Sequence, residues 1–410
     1  MIADTAEIRS AFPALERREA GKPVAYFDAP GGTQVPRVVA DAISDHLLAH
    51  NGNAGWAFPT SVETARVVAN ARSAAADFVG GNRAGLVFGT SMTALTFQFA
   101  EAFGGTLHPG DEIVVTRLDH RANVDPWMSV AADHGATVRV VPFDPADAGL
   151  YESALDSAIG PRTRLVAVGA AANAVGTIND VRRAAGLARS RGAVSFVDAV
   201  HSAPHFRTDM KAWGCDVVVC SPYKFYGPHV GILCARPELL RGLEARKIGP
   251  APERDPARWE RGTLPFEALA GATAAIDWLA SLAPEACGTR NQRLTATFQA
   301  LHERGDQLVG RLWDGLDGLS GVRLYGPRPG QPRTPTVAFT TEAIPSADVA
   351  GRLAAEHGVF VSHGHFYAPD VLEDLDVSDD TGLVRAGCAC YTTSEEVDRL
   401  LEGVRDILRR

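Results

Sequence analysis

The sequence predicts an α/β fold: a large domain with a mostly parallel, seven-stranded sheet, followed by a smaller α+β C-terminal domain. Three observations predict it. Between residues 85 and 235, seven short apolar runs alternate with stretches of helical character. After about Leu282 that alternation stops and a long helical segment leads into isolated strand-like runs. Finally, 410 residues exceed what one hydrophobic core usually spans. The natural division is a large domain over 1–281 and a small one over 282–410, with the segment 1–20 packing on the small domain.

The first run, 85–88, opens into Gly89-Thr90-Ser91, which reads as the start of a helix. The turn Pro109-Gly110-Asp111 then introduces 112–115, and further runs cover 137–141, 164–168 and 194–197. The sixth, 217–219, is apolar on successive residues, as a strand buried on both faces must be. It delivers Cys220-Ser221-Pro222-Tyr223-Lys224 into a turn, and the seventh run follows at 231–233. Beyond Leu282 the pattern gives a long helix, strands near 322–324 and 336–339, and a helix near 347–355. In the last helix Thr393-Ser394-Glu395-Glu396 offers a capping box, and Val397, Leu400, Leu401, Val404 and Ile407 keep the helical period. Cys388-Ala389-Cys390 reads as an extended segment whose two thiols share one buried face.

Hydrophobic residues at 46% with 22% charged, and no long single-sign block, describe a globular enzyme. The net charge of -9 and the lack of a basic stripe argue against nucleic acid as a partner. No apolar run reaches the length of a membrane span, and residues 1–7 lack the marks of a secretory leader. The six cysteines form neither a disulfide framework nor a metal-ligating pattern, so a reduced, cytoplasmic protein without a metal is expected.

Chemistry gathers where strands end, because open α/β sheets keep their sites at the carboxyl edge. Lys224 stands at one such end and Asp198, followed by His201, at another. A lysine there suits Schiff-base formation, and a carboxylate on the same edge suits a pyridinium nitrogen; together they fit pyridoxal phosphate. Gly89-Thr90-Ser91 supplies hydroxyls and amides at a helix start, as a phosphate requires. His120, after another strand, could lie flat on an aromatic cofactor. Each residue alone also fits a structural role: a snorkelling lysine, a capping aspartate or a packed histidine.

The ordered motifs Tyr26-Phe27-Asp28-Ala29, Gly89-Thr90-Ser91, Asp119-His120-Arg121-Ala122-Asn123, Asn173-Ala174-Val175-Gly176-Thr177, Val197-Asp198-Ala199-Val200-His201, Ser221-Pro222-Tyr223-Lys224 and Arg261-Gly262-Thr263 span nearly the whole chain. Together they resemble the cysteine desulfurase branch of the class V aminotransferases. The resemblance implies the pyridoxal-phosphate-dependent transferase fold of type I and an amino-acid substrate. It implies that Lys224 is the Schiff-base lysine, Asp198 the partner of the pyridinium nitrogen and His120 the ring-stacking residue. Asn173 would adjoin the substrate and the phenolic edge of the cofactor. Thr90, Ser91 and Ser221 would hold the phosphate, with Thr263 reaching it from the second subunit of a homodimer. Arg385 would clamp the substrate carboxylate, a task suited to a guanidinium.

Departures from that family pattern bear on function. His201 stands where the family has a glutamine, and Tyr223 where it commonly has a histidine; both keep hydrogen-bonding capacity. Residues 361–369, where desulfurases present a persulfide-forming cysteine, read Val-Ser-His-Gly-His-Phe-Tyr-Ala-Pro. His363, His365 and Tyr367 there offer proton-moving groups instead of a thiolate. The reaction expected is therefore β-elimination, a carbon–sulfur lyase acting on cysteine or a cysteine S-conjugate. Transamination and α-epimerisation use the same residues and are the alternatives. Desulfuration through another sulfur acceptor ranks below them, and a cofactor-binding protein that has lost catalysis is the reading from another class.

Overall fold

A computed structural model describes residues 2–19, 21–342 and 344–409. All seven expected runs form strands of one sheet: β1 (Leu86–Gly89), β2 (Glu112–Thr116), β3 (Thr137–Val141), β4 (Thr163–Gly169), β5 (Val194–Asp198), β6 (Val217–Cys220) and β7 (Gly231–Ala235). Their spatial order is β1-β7-β6-β5-β4-β2-β3, and only β7 runs antiparallel to its neighbours. The unbroken apolar runs have a direct cause. On β6, Val218 and Cys220 enter the core on one face while Val217 and Val219 enter the core on the other.

Helices cover both faces. Helices α1 (Arg37–Ala49) and α2 (Pro59–Val79) pack against α4 (Phe266–Ser281), and α3 (Met92–Gly104) packs on the sheet beside Trp127. Helix α5 (Arg290–Asp317) leads to the second sheet, whose strands are β8 (Val322–Tyr325), β9 (Thr336–Thr341), β10 (Ser362–Gly364) and β11 (Leu383–Gly387). This sheet is antiparallel in the order β8-β9-β11-β10 and shares a core with α5 and α6 (Ser394–Leu408). The capping box of α6 is formed: Thr393 Oγ1 accepts from Glu396 N, and the Glu396 carboxylate accepts from Thr393 N at 2.9 Å.

Several local expectations change. Residues 362–364 are a strand rather than loop, and the short strand Ala25–Tyr26 pairs in parallel with Val359–Phe360. The helix expected near 347–355 runs Ser346–Arg352 and continues as a wider turn over Leu353–His357. Strand β11 stops at Gly387, so Cys388 and Cys390 do not share a face. Both are buried, but Cys388 joins the core of the second sheet and Cys390 that of the first. The N-terminal segment touches both regions: Arg9 pairs with Glu396 at 3.0 Å, while Phe12 meets Tyr226, Trp278 and Tyr391 edge-on. Among the described residues, no helix is long and apolar enough to cross a membrane.

A smaller apolar cluster joins the two sheets, with Leu118 and Ala172 from strand-end loops of the first against Tyr325, Ala338 and Leu383 of the second. Beside it Arg385, on β11, donates to Asn173 O and faces the same cavity as His120 and Lys224, at the carboxyl ends of β2, β4, β5 and β6.

Candidate active site

Those strand ends and β11 enclose a cavity of about 770 Å3 lined by Lys224, His120, Asn173, Arg385, Tyr223, Thr93 and the segment 363–367. Its inner recess reaches Asp198, Asp119 and His201. Register explains the gathering. Gly169 on β4 is paired with Asp198 on β5, and β6 adjoins β5, so Asp198 and Lys224 arrive from neighbouring strands. Gly169 must be glycine, since a Cβ there would come within 2.4 Å of Asp119 Oδ1. Its N–H instead donates to that oxygen at 2.6 Å.

Lys224 donates to the carbonyls of Pro30 and Gly31, the latter at 3.0 Å. Burial and the Arg385 guanidinium lower its amine to about 7, against the opposing pull of Asp198. Asp198 is buried and accepts from Val200 N at 2.8 Å; burial raises its carboxyl to about 6. Below it Asp119 is pushed up to about 8, first by burial; the Thr116 hydroxyl opposes the shift and the Asp198 charge adds to it. Burial and the neighbouring Asp198 charge thus both favour the protonated form of Asp119.

His120 Nδ1 accepts from Ala122 N at 3.0 Å, which requires an unprotonated nitrogen. Burial and the charges of Lys224 and Arg385 agree with this, bringing the imidazole down to about 4. His201 is buried, with Nε2 at 3.0 Å from Thr334 Oγ1. Thr336 Oγ1 reaches the same nitrogen at 3.4 Å, while Thr334 Oγ1 also donates to Gly176 O at 3.3 Å. Tyr223 stacks on His229 with ring centroids 4.7 Å apart. Arg385 is buried, donating to Asn173 O at 2.8 Å and to Ser362 Oγ at 3.3 Å.

The remaining expected residues lie around α3. Ser91 caps the helix, accepting from Ala94 N at 3.1 Å, and the buried Ser221 Oγ accepts from Met92 N at 3.2 Å. Thr90 is exposed at the start of that turn, whereas Thr93, inside the motif but not singled out from it, lines the cavity. Thr263 is exposed and lies outside the cavity of its own chain. Sequence reasoning also passed over Asp119, next to His120, and Pro30 and Gly31, whose backbone carbonyls carry no side-chain signal. Among the described residues none of the six cysteines lines the cavity.

Residues 25–400 match the model of the family described as aminotransferase class V. The chain belongs to that family. It is 32% identical over 408 residues to an uncharacterized protein of Mycobacterium tuberculosis, covering 99% of this chain and all of that one. A cysteine desulfurase of Serratia proteamaculans is 30% identical over 420 residues, covering 98% of this chain and 97% of that one. Among solved structures, the cysteine desulfurase of Thermococcus onnurineus superposes with a TM-score of 0.88 at 26% identity, covering 98% of each chain.

As a class V aminotransferase with cysteine desulfurase relatives, the chain is a pyridoxal-phosphate-dependent enzyme with the type I fold. The donor set fits that cofactor. A buried carboxyl facing a recess calls for a cationic N–H, which a pyridinium nitrogen provides. An amine lowered to about 7 is ready to condense with an aldehyde. A neutral imidazole beside them has no charge to oppose a stacked ring, and the first turn of α3, with Thr93 on the cavity, offers N–H groups of the kind a phosphate takes.

Proposed function

We propose that this protein is a carbon–sulfur lyase acting on cysteine or a cysteine S-conjugate. The observation that carries the reading is the pairing of a buried guanidinium and a lysine amine lowered to about 7 in a cavity whose covering segment, 363–367, contains no thiol. The desulfurase relatives support a sulfur-bearing amino acid. Persulfide transfer needs a thiolate aimed at the substrate sulfur, and β-elimination does not.

In this reading Arg385 binds the substrate carboxylate and Asn173 adjoins the substrate. Bound pyridoxal phosphate supplies an electron sink for the carbanion at Cα. Asp198 would keep the pyridine nitrogen protonated, His120 would stack on the ring, and His201 and Tyr223 would line its edge. Thr90, Ser91 and Ser221 hold the phosphate, and Thr263 reaches it from the partner subunit of a homodimer. Lys224 Nζ removes the α-proton, the Cβ–S bond breaks, and sulfur departs with its electron pair as a thiolate that is then protonated. The aminoacrylate released takes up water to give pyruvate and ammonia.

The test uses holoenzyme with L-cysteine and a panel of S-substituted cysteines, without ketoacid. Pyruvate, ammonia and thiol in equal amounts are expected. Alanine with released sulfur would make the protein a desulfurase. Turnover only on adding a ketoacid would make it an aminotransferase, and loss of α-stereochemistry without cleavage would make it an epimerase.

A further inference from the structure

We propose that Phe366 is a positioning residue for the carboxylate site, its ring holding the Arg385 guanidinium in the plane that receives an amino acid; this rests on the role of Arg385 given above. Arg385 Cζ lies 3.9 Å from the centroid of the Phe366 ring, well inside the roughly 6 Å over which a cation is attracted to an aromatic face. The central carbon of the cation thus lies over the negative face of the ring. That arrangement leaves the guanidinium edges, where the N–H groups lie, free for other partners.

Two of those edges are only partly used. One Nη donates to Asn173 O and the other to Ser362 Oγ, while the buried Nε–H has no partner among the described residues. A substrate carboxylate can take the unpartnered donor together with a remaining Nη–H, the bidentate geometry natural to arginine.

The backbone shows that the ring is held there. Phe366 and Tyr367 both have φ of 55°, a left-handed conformation that residues with side chains adopt only where their surroundings impose it. Asn173 Nδ2 donates to Phe366 O at 2.8 Å, and Arg121 N donates to Tyr367 O at 2.8 Å. Asn173 is thus a hub, its side chain fixing Phe366 and its carbonyl fixing Arg385. The Tyr367 ring sits 5.4 Å from that of His120, so the same two-residue turn touches both ends of the cavity. Plain apolar filling is the competing account, because Phe366 also packs against the cluster joining the two sheets.

Leucine would fill that space without an aromatic face, and tyrosine would keep the face. Holoenzyme carrying Phe366→Leu or Phe366→Tyr is titrated with L-alanine, which has no group to eliminate, following the cofactor absorbance; cofactor affinity is measured in parallel. Phe366→Leu is expected to weaken alanine binding about tenfold, ~1.4 kcal/mol, and Phe366→Tyr to stay within about twofold of wild type, with cofactor affinity unchanged in both. Leucine binding alanine as wild type does, equal losses in both variants, or a parallel loss of cofactor would each overturn the inference. A wild-type protein whose absorbance responds to no amino acid would overturn the amino-acid reading itself, and the inference with it.

Discussion

The chemistry of Lys224 follows from its surroundings more than from its identity. A lysine in water is protonated at neutral pH, but burial and Arg385 bring this amine to about 7. Only the neutral amine attacks an aldehyde, so capture of pyridoxal phosphate by the cofactor-free protein should slow as pH falls through about 7 and level off above it. Stopped-flow absorbance checks this; a midpoint near the ordinary lysine value would remove the assigned environment. Lys224→Ala should abolish the absorbance band of the covalently held cofactor, and a normal band in that variant would reject the site. Arg385→Ala removes charge-assisted hydrogen bonds worth ~1.5–3 kcal/mol, so the amino-acid KM should rise about 10- to 100-fold with cofactor affinity little changed. Lys224 was legible because strand ends in an α/β sheet follow from apolar runs, whereas Arg385, inside a strand of the second sheet, came only with the family resemblance. Asp119 was adjacent yet unassigned, since its role depends on facing Asp198 across β4, a relation that spacing does not reveal.

Elements were legible in proportion to their length. The seven strands of the first sheet, four to seven residues long, and α6 announce themselves because apolar runs bounded by turn signals and a sustained helical period leave little ambiguity. The strand pair Ala25–Tyr26 with Val359–Phe360 has only two residues on each side, and its pairing partner lies more than three hundred residues away in sequence. Strand β10 was hidden in the same way: His363 and Gly364 carry no strand signal, and their pairing with β11 is decided by tertiary packing. Cys388 and Cys390 separate because the chain turns after Gly387. Caps, by contrast, are local, and the box at α6 forms as its sequence requires. Thr393→Ala should therefore lower stability by about 1 kcal/mol, read from the urea midpoint at unchanged slope. A shift indistinguishable from zero would mean that the box adds nothing to tertiary packing of α6.

At the scale of the molecule, the cavity lies between two sheets, but the proposed phosphate site is divided further. Thr263 is exposed and away from the cavity of its own chain, while Leu48 (85% exposed), Trp56 (58%) and Phe58 (48%) put large apolar side chains on the surface of α1 and the segment before α2. The proposed homodimer would account for both, and would have a mass twice the 43.5 kDa of the chain. It also makes a prediction that no single subunit can satisfy. Let Lys224→Ala subunits be mixed with Thr263→Ala subunits and allowed to exchange. If Thr263 serves the neighbouring site, each mixed dimer contains one site with both defects and one with neither, so wild-type cofactor affinity should return at one site per dimer. If Thr263 served its own chain, every site in the mixture would carry a defect. Cofactor titration of the exchanged mixture separates the two arrangements, and absence of recovery in a verified mixed dimer would remove Thr263 from the partner's phosphate site.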